Sequence, residues 1–126
     1  MCNGMKPAVR GVGIDLCAIV RMEELLGNVR FLERFFTEEE TAYVMARGAA
    51  AAQSMAGIFA AKEALLKALG VGIALPLKDV GVTHTETGQP VYCLTGKAKE
   101  LAGDAQCMLS ITHEGDMAAA VCIICG

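Results

Sequence analysis

The strongest structural signal in the sequence is one helix near the middle of the chain, from about Ser54 to Leu69. Ser54 is a typical N-cap residue, and Gly70 is typical of the position just past a helix C-terminus. The helix has an apolar side and a second side of small and charged residues. The first carries Ile58, Leu65 and Leu69, and the second carries Ala56, Ala60, Glu63 and Lys67. The alanines indicate that the second side can approach another element closely.

The rest of the core must be built from small and aliphatic side chains. The 126-residue chain has no Trp, four Phe, two Tyr and 14 Gly, while 54% of its residues are apolar and 20% are charged. This composition excludes intrinsic disorder, and the length predicts a single domain over residues 1–126, with residues 1–8 as a flexible N-terminal extension. Because so small a domain buries only about two thirds of its unfolded surface, we expect further apolar burial against other copies of the chain.

The flanking segments predict an α+β fold. A Gly-rich strand opens the chain, and the capping box Thr37-Glu38-Glu39-Glu40 starts a helix at Glu38. After Gly72 the pattern changes to two antiparallel hairpins separated by a short helix. The predicted strands are 9–15, 79–84, 91–94, 108–112 and 118–124, and the further helices are 20–26, 30–36, 38–45 and 96–102.

Charge and hydropathy exclude several classes of protein. The formal net charge of −3 argues against a general nucleic-acid binder. No apolar run approaches the ~18–20 residues that span a bilayer, and the N-terminus lacks the apolar segment of a secretory signal. We therefore expect a cytoplasmic protein with six reduced cysteines. Cys122 and Cys125 form a C-x-x-C pair, but they lie in a predicted strand and lack a second pair of zinc ligands.

Two carboxylates are candidates for a metal site. Asp15 ends the Gly-rich strand, where it either caps the following turn or projects from a sheet edge. Glu63 either pairs with Lys67 on the helix surface, or is partly buried where the alanine side meets another element. Proteins usually hold Mg²⁺ with a few carboxylates together with ligand phosphates. The two carboxylates therefore fit either a local structural role or a magnesium site.

Two lysines lie close to Glu63 in the sequence, and a histidine follows a later strand. Lys62 and Lys67 project about 140° apart around the helix, so that one can neutralise a phosphate while the other lies near a metal. The alternative is a pair of solvated lysines. His113 follows a strand end, where it either meets a ligand or forms a structural hydrogen bond. Gly70-Val71-Gly72 follows a helix instead of leading into one, so it is a helix stop and not a nucleotide-binding loop.

Taken together, these residues resemble the holo-acyl-carrier-protein synthases, the small bacterial 4′-phosphopantetheinyl transferases. The likeness extends from about Val9 to Ile124. The matching segments are Gly11-Val12-Gly13-Ile14-Asp15-Leu16, the block FAAKEALLKALGVG from Phe59 to Gly72, Leu109-Ser110-Ile111-Thr112-His113, and Ala118-Ala119-Ala120-Val121. The resemblance implies the phosphopantetheinyl transferase fold, with an antiparallel sheet wrapped around one long helix, assembled as a homotrimer with active sites at subunit interfaces.

The resemblance also implies a reaction. The family transfers 4′-phosphopantetheine from coenzyme A to a serine of an apo acyl carrier protein, releases adenosine 3′,5′-bisphosphate and depends on Mg²⁺. Asp15 and Glu63 match the metal ligands, and Lys67 is expected to stabilise or protonate the leaving group. These three are the expected catalytic residues. The residues expected to bind coenzyme A are Lys62, Lys67, Gly70, Gly72, Ser110 and His113. The general base and the carrier protein that is served are left open.

The resemblance implies two kinds of protein contact. In the trimer, Asp15 and His113 are expected on one side of the active-site cleft, and Glu63 with Lys67 on the other. An acidic carrier protein is expected to dock on basic residues of the first helices, which here are Arg21, Arg30 and Arg34. The alternative for Arg30 and Arg34 is a weak surface pair with Glu33 or Glu38.

The chain departs from the family pattern at two positions. Many members have an Arg, implied to contact the 3′-phosphate of coenzyme A, where this chain has Ile58. Either Arg47 or Lys78 replaces it, or the phosphate is held less tightly. The acidic residue that usually follows Asp15 by three positions is Ala18, so we expect more water around the metal. Two alternatives follow: a weakened homologue that binds without efficient transfer, and a structural trimer in which Glu63 and Lys67 only bridge the helix.

Overall fold

The computed structural model describes residues 8–71 and 75–126, and this part of the chain contains five α-helices, five β-strands and two short 3₁₀ helices. In chain order the α-helices and β-strands are β1 (Val9–Ala18), α1 (Ile19–Leu25), α2 (Val29–Phe35), α3 (Glu38–Met45), α4 (Ala51–Leu69), β2 (Val80–His84), β3 (Pro90–Leu94), α5 (Gly96–Ala102), β4 (Gln106–Glu114) and β5 (Met117–Cys125). The prediction of an α+β chain with two late antiparallel hairpins is confirmed. None of these helices combines the length and the hydropathy that crossing a bilayer requires.

Local sequence sets the helix ends. The backbone N–H of Glu40 donates to Thr37 Oγ1 at 3.0 Å, and the N–H of Thr37 donates to Glu40 Oε1 at 2.8 Å, so the predicted capping box is present at the start of α3. Gly70 ends α4 in the left-handed conformation, at φ +73°, with its N–H bonded to the carbonyls of Leu66 and Lys67. Glycine adopts that conformation without the penalty that a Cβ atom brings.

The long helix differs from its prediction at the N-terminus. α4 begins at Ala51, three residues before the predicted N-cap Ser54. Ala51 and Ala52 are both buried, so these alanines pack against the core in addition to favouring helix. The hydroxyl of Ser54 accepts a hydrogen bond from Nε of Arg47 at 3.3 Å and caps no backbone group.

The sheet that covers α4 has the strand order β1-β5-β4, with both pairs antiparallel, and the β2–β3 hairpin packs on α4 separately. Two glycines let β1 lie directly on the helix. A Cβ atom at Gly11 would overlap the carbonyl oxygen of Ala68, and one at Gly13 would overlap that of Ala64. The arrangement expected from the resemblance, an antiparallel sheet wrapped around one long helix, is therefore confirmed.

Alternation along the strands assigns each side chain to one face of the sheet. In the register, Asp15 pairs with Ala120 and Ala120 with Ile111, and these residues face α4. The outer face is apolar and exposed on β1, where it carries Val12, Ile14 and Leu16. The side of the sheet away from α4 is thus an uncovered apolar surface.

Candidate active site

Asp15 and Lys67 meet where β1 crosses the C-terminal half of α4. Nζ of Lys67 donates to Asp15 Oδ1 and to the carbonyl oxygen of Ile14, each at 3.0 Å. The close packing at Gly13 brings the two elements near enough for this contact. The carboxylate and the ammonium predicted to act together therefore lie side by side in one chain.

Glu63 lies one helical turn before Lys67 and is half-buried. Burial raises the pKa of Glu63, and the nearby Asp15 carboxylate raises it further, whereas Lys67 and Arg21 act in the opposite direction. Within residues 8–71 and 75–126, Lys67 pairs with Asp15 and forms no ion pair with Glu63. The alternative of a plain Glu63–Lys67 bridge on the helix surface is therefore wrong.

The two carboxylates come from two different elements, β1 and α4, and Mg²⁺ is usually bound by one or two carboxylates together with substrate phosphates. The Asp15 carboxylate raises the pKa of Glu63, so it adds to the cost of ionising Glu63, and a divalent cation would remove that cost. Among the described residues, no group of three or more His, Cys, Asp or Glu side chains forms a complete protein site for a metal. The donor set therefore fits a hard cation that takes its remaining oxygens from a ligand or water.

A cleft of about 590 Å³ opens beside Glu63. Its aromatic wall consists of Phe31, Phe35 and Phe59, and its further lining residues are Arg21, Arg34, Glu63, Leu66, Leu75, Pro76 and Leu77. The Arg21 guanidinium lies 5.1 Å from the centre of the Phe59 ring, and that of Arg34 lies 5.1 Å from the Phe35 ring. The cleft therefore has an aromatic wall, with two exposed cations at its mouth.

The three arginines expected to dock the carrier protein are all exposed, but they are not equivalent. Arg21 and Arg34 line the cleft, whereas Arg30 lies outside it. Neither Arg30 nor Arg34 has a carboxylate partner within 4.0 Å in the part of the chain that is described. The alternative of surface pairs with Glu33 or Glu38 is therefore wrong.

Lys62 lies inside the protein, which differs from its expected place beside a phosphate. Its side chain is fully buried, and its ammonium contacts the Glu40 carboxylate and the backbone carbonyls of Leu77 and Val80. Burial lowers the pKa of Lys62, and the Glu40 charge opposes that shift. With three acceptors already in place and no exposed surface, Lys62 is removed from the residues proposed to bind coenzyme A.

His113 and Ser110 lie on β4, away from the carboxylates of the same chain. Nε2 of His113 is 3.0 Å from Nε2 of Gln53, in the first turn of α4. Gln53 and Glu63 are ten residues apart, which is about 15 Å along a helix axis. Ser110 projects from the outer face of the sheet, the opposite face from His113. The expectation that Asp15 lies with His113 on one side of the cleft is therefore wrong. Asp15 lies beside Glu63 and Lys67 of the same chain, and His113 lies away from them.

Comparison with known proteins supplies the identification. The family model for the 4′-phosphopantetheinyl transferase superfamily matches residues 11–122. This chain belongs to that superfamily. It is 46% identical over 122 residues to the holo-acyl-carrier-protein synthase of Treponema denticola, covering 94% of this chain and 99% of the relative.

Solved structures of the superfamily have the same fold. A crystal structure of the Helicobacter pylori holo-acyl-carrier-protein synthase in complex with coenzyme A matches with a TM-score of 0.78 and 30% identity, covering 90% of this chain and 98% of that one. The Bacillus anthracis enzyme, in complex with coenzyme A (3′,5′-ADP), matches with a TM-score of 0.79 and 30% identity, over 94% and 97% of the two chains. The phosphopantetheinyl transferase fold is therefore confirmed.

Three further predictions concern the N-terminal extension, Gly72 and the C-x-x-C pair. Gly72 lies outside the described residues, as do residues 1–7 of the predicted N-terminal extension. Cys122 and Cys125 lie on opposite faces of β5, because residues three apart on a strand alternate. The five described cysteines are free thiols, and the C-x-x-C pair has no metal-binding geometry.

Two features around this site are not predicted by the sequence. The aromatic wall of the cleft joins Phe31 and Phe35, four residues apart on α2, to Phe59 on α4. The spacing on α2 was a usable signal, but nothing local indicated that Phe59 lies opposite. Glu40 was identified as a capping residue, and no local pattern indicated that it also pairs with Lys62.

Proposed function

We propose that this protein transfers 4′-phosphopantetheine from coenzyme A to a serine hydroxyl of an apo acyl carrier protein and releases adenosine 3′,5′-bisphosphate. The observation that carries the proposal is the convergence of Asp15, Glu63 and Lys67 beside an open cleft. The Helicobacter pylori relative that shares this fold binds coenzyme A, which supports the choice of donor. The cytoplasmic location expected from the sequence stays a prediction.

The reaction replaces one phosphorus–oxygen bond by another. The serine oxygen bonds to the phosphorus that carries pantetheine, the bond from that phosphorus to the adenosine phosphate breaks, and the serine proton passes to a base. Charge builds on the departing phosphate, where a fixed cation stabilises it. Lys67 is such a cation, because Asp15 and the Ile14 carbonyl hold its ammonium in place.

Asp15 and Glu63 are the residues that would hold Mg²⁺. When bound, the metal supplies charge neutralisation at the pyrophosphate of coenzyme A. Ionised Glu63 is disfavoured in the folded chain, since burial and Asp15 both raise its pKa. A cation that binds both carboxylates would therefore stabilise the folded protein as well as the ligand complex.

The cleft beside Glu63 is the proposed docking surface for the carrier protein. Carrier proteins of this class are acidic, and Arg21 and Arg34 present positive charge at the mouth of the cleft. The aromatic wall of Phe31, Phe35 and Phe59 would contact apolar side chains of the carrier. Arg30 lies outside the cleft, and its proposed part is limited to attracting the carrier from a distance.

The functional assembly is proposed to be a homotrimer. The outer face of the sheet exposes Val12, Ile14, Leu16 and Met108, whose exposed fractions are 59%, 63%, 64% and 42%. A contiguous apolar patch of this kind is typical of an interface between protein chains. His113 contacts Gln53 near the N-terminal end of α4, away from Glu63 of the same chain, and in the proposed trimer His113 of one copy would approach Glu63 of its neighbour.

The test is an intact-mass measurement on apo carrier protein after incubation with the protein, coenzyme A and Mg²⁺. The expected result is a mass increase equal to one phosphopantetheine, absent with Glu63→Gln. Several carriers from fatty-acid, polyketide and peptide synthesis should be compared, because the sequence leaves the carrier open. No transfer to any carrier would reject the transferase in favour of a protein that only binds. Full transfer by Glu63→Gln would reject the assigned site.

A further inference from the structure

The cleft beside Glu63 has a second wall, the aliphatic wall, which consists of Leu75, Pro76 and Leu77. Leu75 and Leu77 are buried, and Pro76 is exposed. Leu77 begins a short 3₁₀ turn, Leu77–Asp79, that leads directly into β2. Because the aliphatic wall belongs to a connecting segment, its position in the cleft depends on what holds that segment against α4.

Lys62 is the hydrogen-bond donor that joins this segment to the long helix. Its ammonium donates to the carbonyl oxygen of Leu77 at 3.0 Å and to that of Val80 at 2.9 Å, one at each end of the turn. In the part of the chain that the structure describes, no other group of α4 forms a hydrogen bond with residues 75–80. One ammonium on α4 therefore fixes the turn relative to the helix that carries Glu63.

Glu40 has a different part in this arrangement. An ammonium is costly to bury without a counter-charge, and the Glu40 carboxylate lies 2.7 Å from Nζ of Lys62. Glu40 lies on α3 and does not line the cleft. It therefore offsets the cost of burying Lys62, whereas the bonds that hold the turn come from Lys62 alone. The two contributions can be separated by substitution.

Resting on the proposed function, we infer that Lys62 is a positioning residue for the carrier protein, because its two hydrogen bonds to backbone carbonyls hold the aliphatic wall of the docking cleft in place. Lys62 has no exposed surface, so it touches no substrate and acts through residues 75–77. Binding of the carrier should therefore depend on Lys62. Binding of coenzyme A should not, because its pyrophosphate is assigned to Asp15, Glu63 and Lys67.

A role in stability alone predicts a different order of variants. Glu40→Gln leaves the Lys62 amine with its two carbonyl acceptors but removes the counter-charge. The double variant Glu40→Gln/Lys62→Met removes the donor and leaves no unpaired buried charge. Replacing both partners of a buried pair is usually far less destabilising than removing one. The double variant should therefore be the more stable of the two, and it is the one in which the turn is no longer held.

The test measures KM for apo carrier protein and for coenzyme A with the wild type, Glu40→Gln, Lys62→Met, the double variant and the control Ile124→Ala. Ile124 is buried on β5 and does not line the cleft, so this control loses stability through a core cavity elsewhere. Lys62→Met and the double variant are expected to raise KM for the carrier by roughly tenfold, with KM for coenzyme A nearly unchanged. Glu40→Gln and Ile124→Ala should stay near the wild type.

The order of the variants decides the outcome. If KM for the carrier follows the loss of stability, so that Glu40→Gln is worse than the double variant, the positioning role is wrong. A double variant with the wild-type KM for the carrier would also overturn it. Both comparisons remain available if Lys62→Met alone does not fold.

Hydrogen exchange on the free protein separates this inference from the proposed function. Amides of residues 75–82 are expected to exchange roughly tenfold faster in the double variant than in the wild type, while those of β5 serve as the internal reference. If the wild type transfers nothing yet this local increase is seen, the transferase proposal fails and Lys62 still positions the aliphatic wall. If residues 75–82 exchange as in the wild type, the role of Lys62 is wrong, whatever the transfer assay shows.

Discussion

Lys62 and Glu40 form an ion pair in the interior, with Lys62 Nζ 2.7 Å from Glu40 Oε1 and side chains that are 0% and 1% exposed. The ammonium also donates to the carbonyl oxygens of Leu77 at 3.0 Å and Val80 at 2.9 Å. The second carboxylate oxygen of Glu40 accepts from the N–H of Val82 at 2.7 Å. One charge pair thus ties α3, α4 and β2 together behind the cleft wall.

Breaking this pair should destabilise the protein strongly. We expect Glu40→Gln or Lys62→Met to lower the free energy of unfolding by about 3–5 kcal/mol, because each leaves a buried charge without its partner. The double variant should be more stable than either single variant. Glu39→Gln, at an exposed position on the same helix, is the control. Urea unfolding measures all four, and a loss below about 1 kcal/mol for Glu40→Gln would contradict the structure.

The sequence predicted the ends of elements better than the partners of buried charges. The capping box and Gly70 depend on residues within four positions of each other, so they are readable locally. Helical spacing also predicts the direction in which Lys62 projects from α4. The partners of its ammonium are not local, because they are Glu40, 22 residues away, and the backbone at the start of the β2–β3 hairpin. For the same reason the contact of Asp15 with Lys67, across 52 residues, was not predicted.

Gly13 should be intolerant of any side chain. In Gly13→Ala the new Cβ atom would overlap the carbonyl oxygen of Ala64, and both groups belong to packed elements. The expected loss is about 1–3 kcal/mol of unfolding free energy, together with weakened transfer, because Asp15 follows on the same strand. Gly27→Ala is the control, since a Cβ atom at Gly27 would have nothing within 4 Å of it. Thermal unfolding of both variants measures the difference, and equal melting temperatures would contradict the close packing of β1 on α4.

Glu63→Gln should stabilise the free protein at neutral pH while abolishing transfer. Burial and Asp15 raise the pKa of Glu63, so its ionised form is disfavoured in the folded state. The stability that protonated Glu63 gives is present at low pH and is lost as the pH rises through its raised pKa. The melting temperature of Glu63→Gln should therefore exceed that of the wild type at about pH 7 and approach it near pH 4. If the difference in melting temperature between Glu63→Gln and the wild type shrank as the pH rose, the assigned direction of the pKa shift would be wrong. Glu24→Gln, at an exposed position, is the control.

Val12→Asp should dissociate the proposed trimer. Val12 is 59% exposed on the outer face of the sheet, where a carboxylate would lie in the apolar surface that the copies share. Val29→Asp is a matched control, because Val29 is 65% exposed but lies on α2, away from that face. Light scattering after gel filtration should give three times the chain mass for the wild type and the control. It should give the mass of one chain for Val12→Asp. A wild-type monomer would reject the trimer.

Charge reversal at the cleft mouth should weaken binding of the carrier protein and leave binding of coenzyme A nearly unchanged. Arg34→Glu is the cleaner variant, because Arg21 also acts on the charge of Glu63. We expect Arg34→Glu to raise KM for the carrier by roughly tenfold or more at low salt, with little change in KM for coenzyme A, because the carrier is steered by local positive charge.

Arg30→Glu should have a smaller effect, since Arg30 lies outside the cleft, and Lys97→Glu on α5 should have none. Added salt should weaken carrier binding by the wild type and leave Arg34→Glu less affected. Equal increases in KM for both substrates would show that Arg34 shapes the site as a whole and does not dock the carrier.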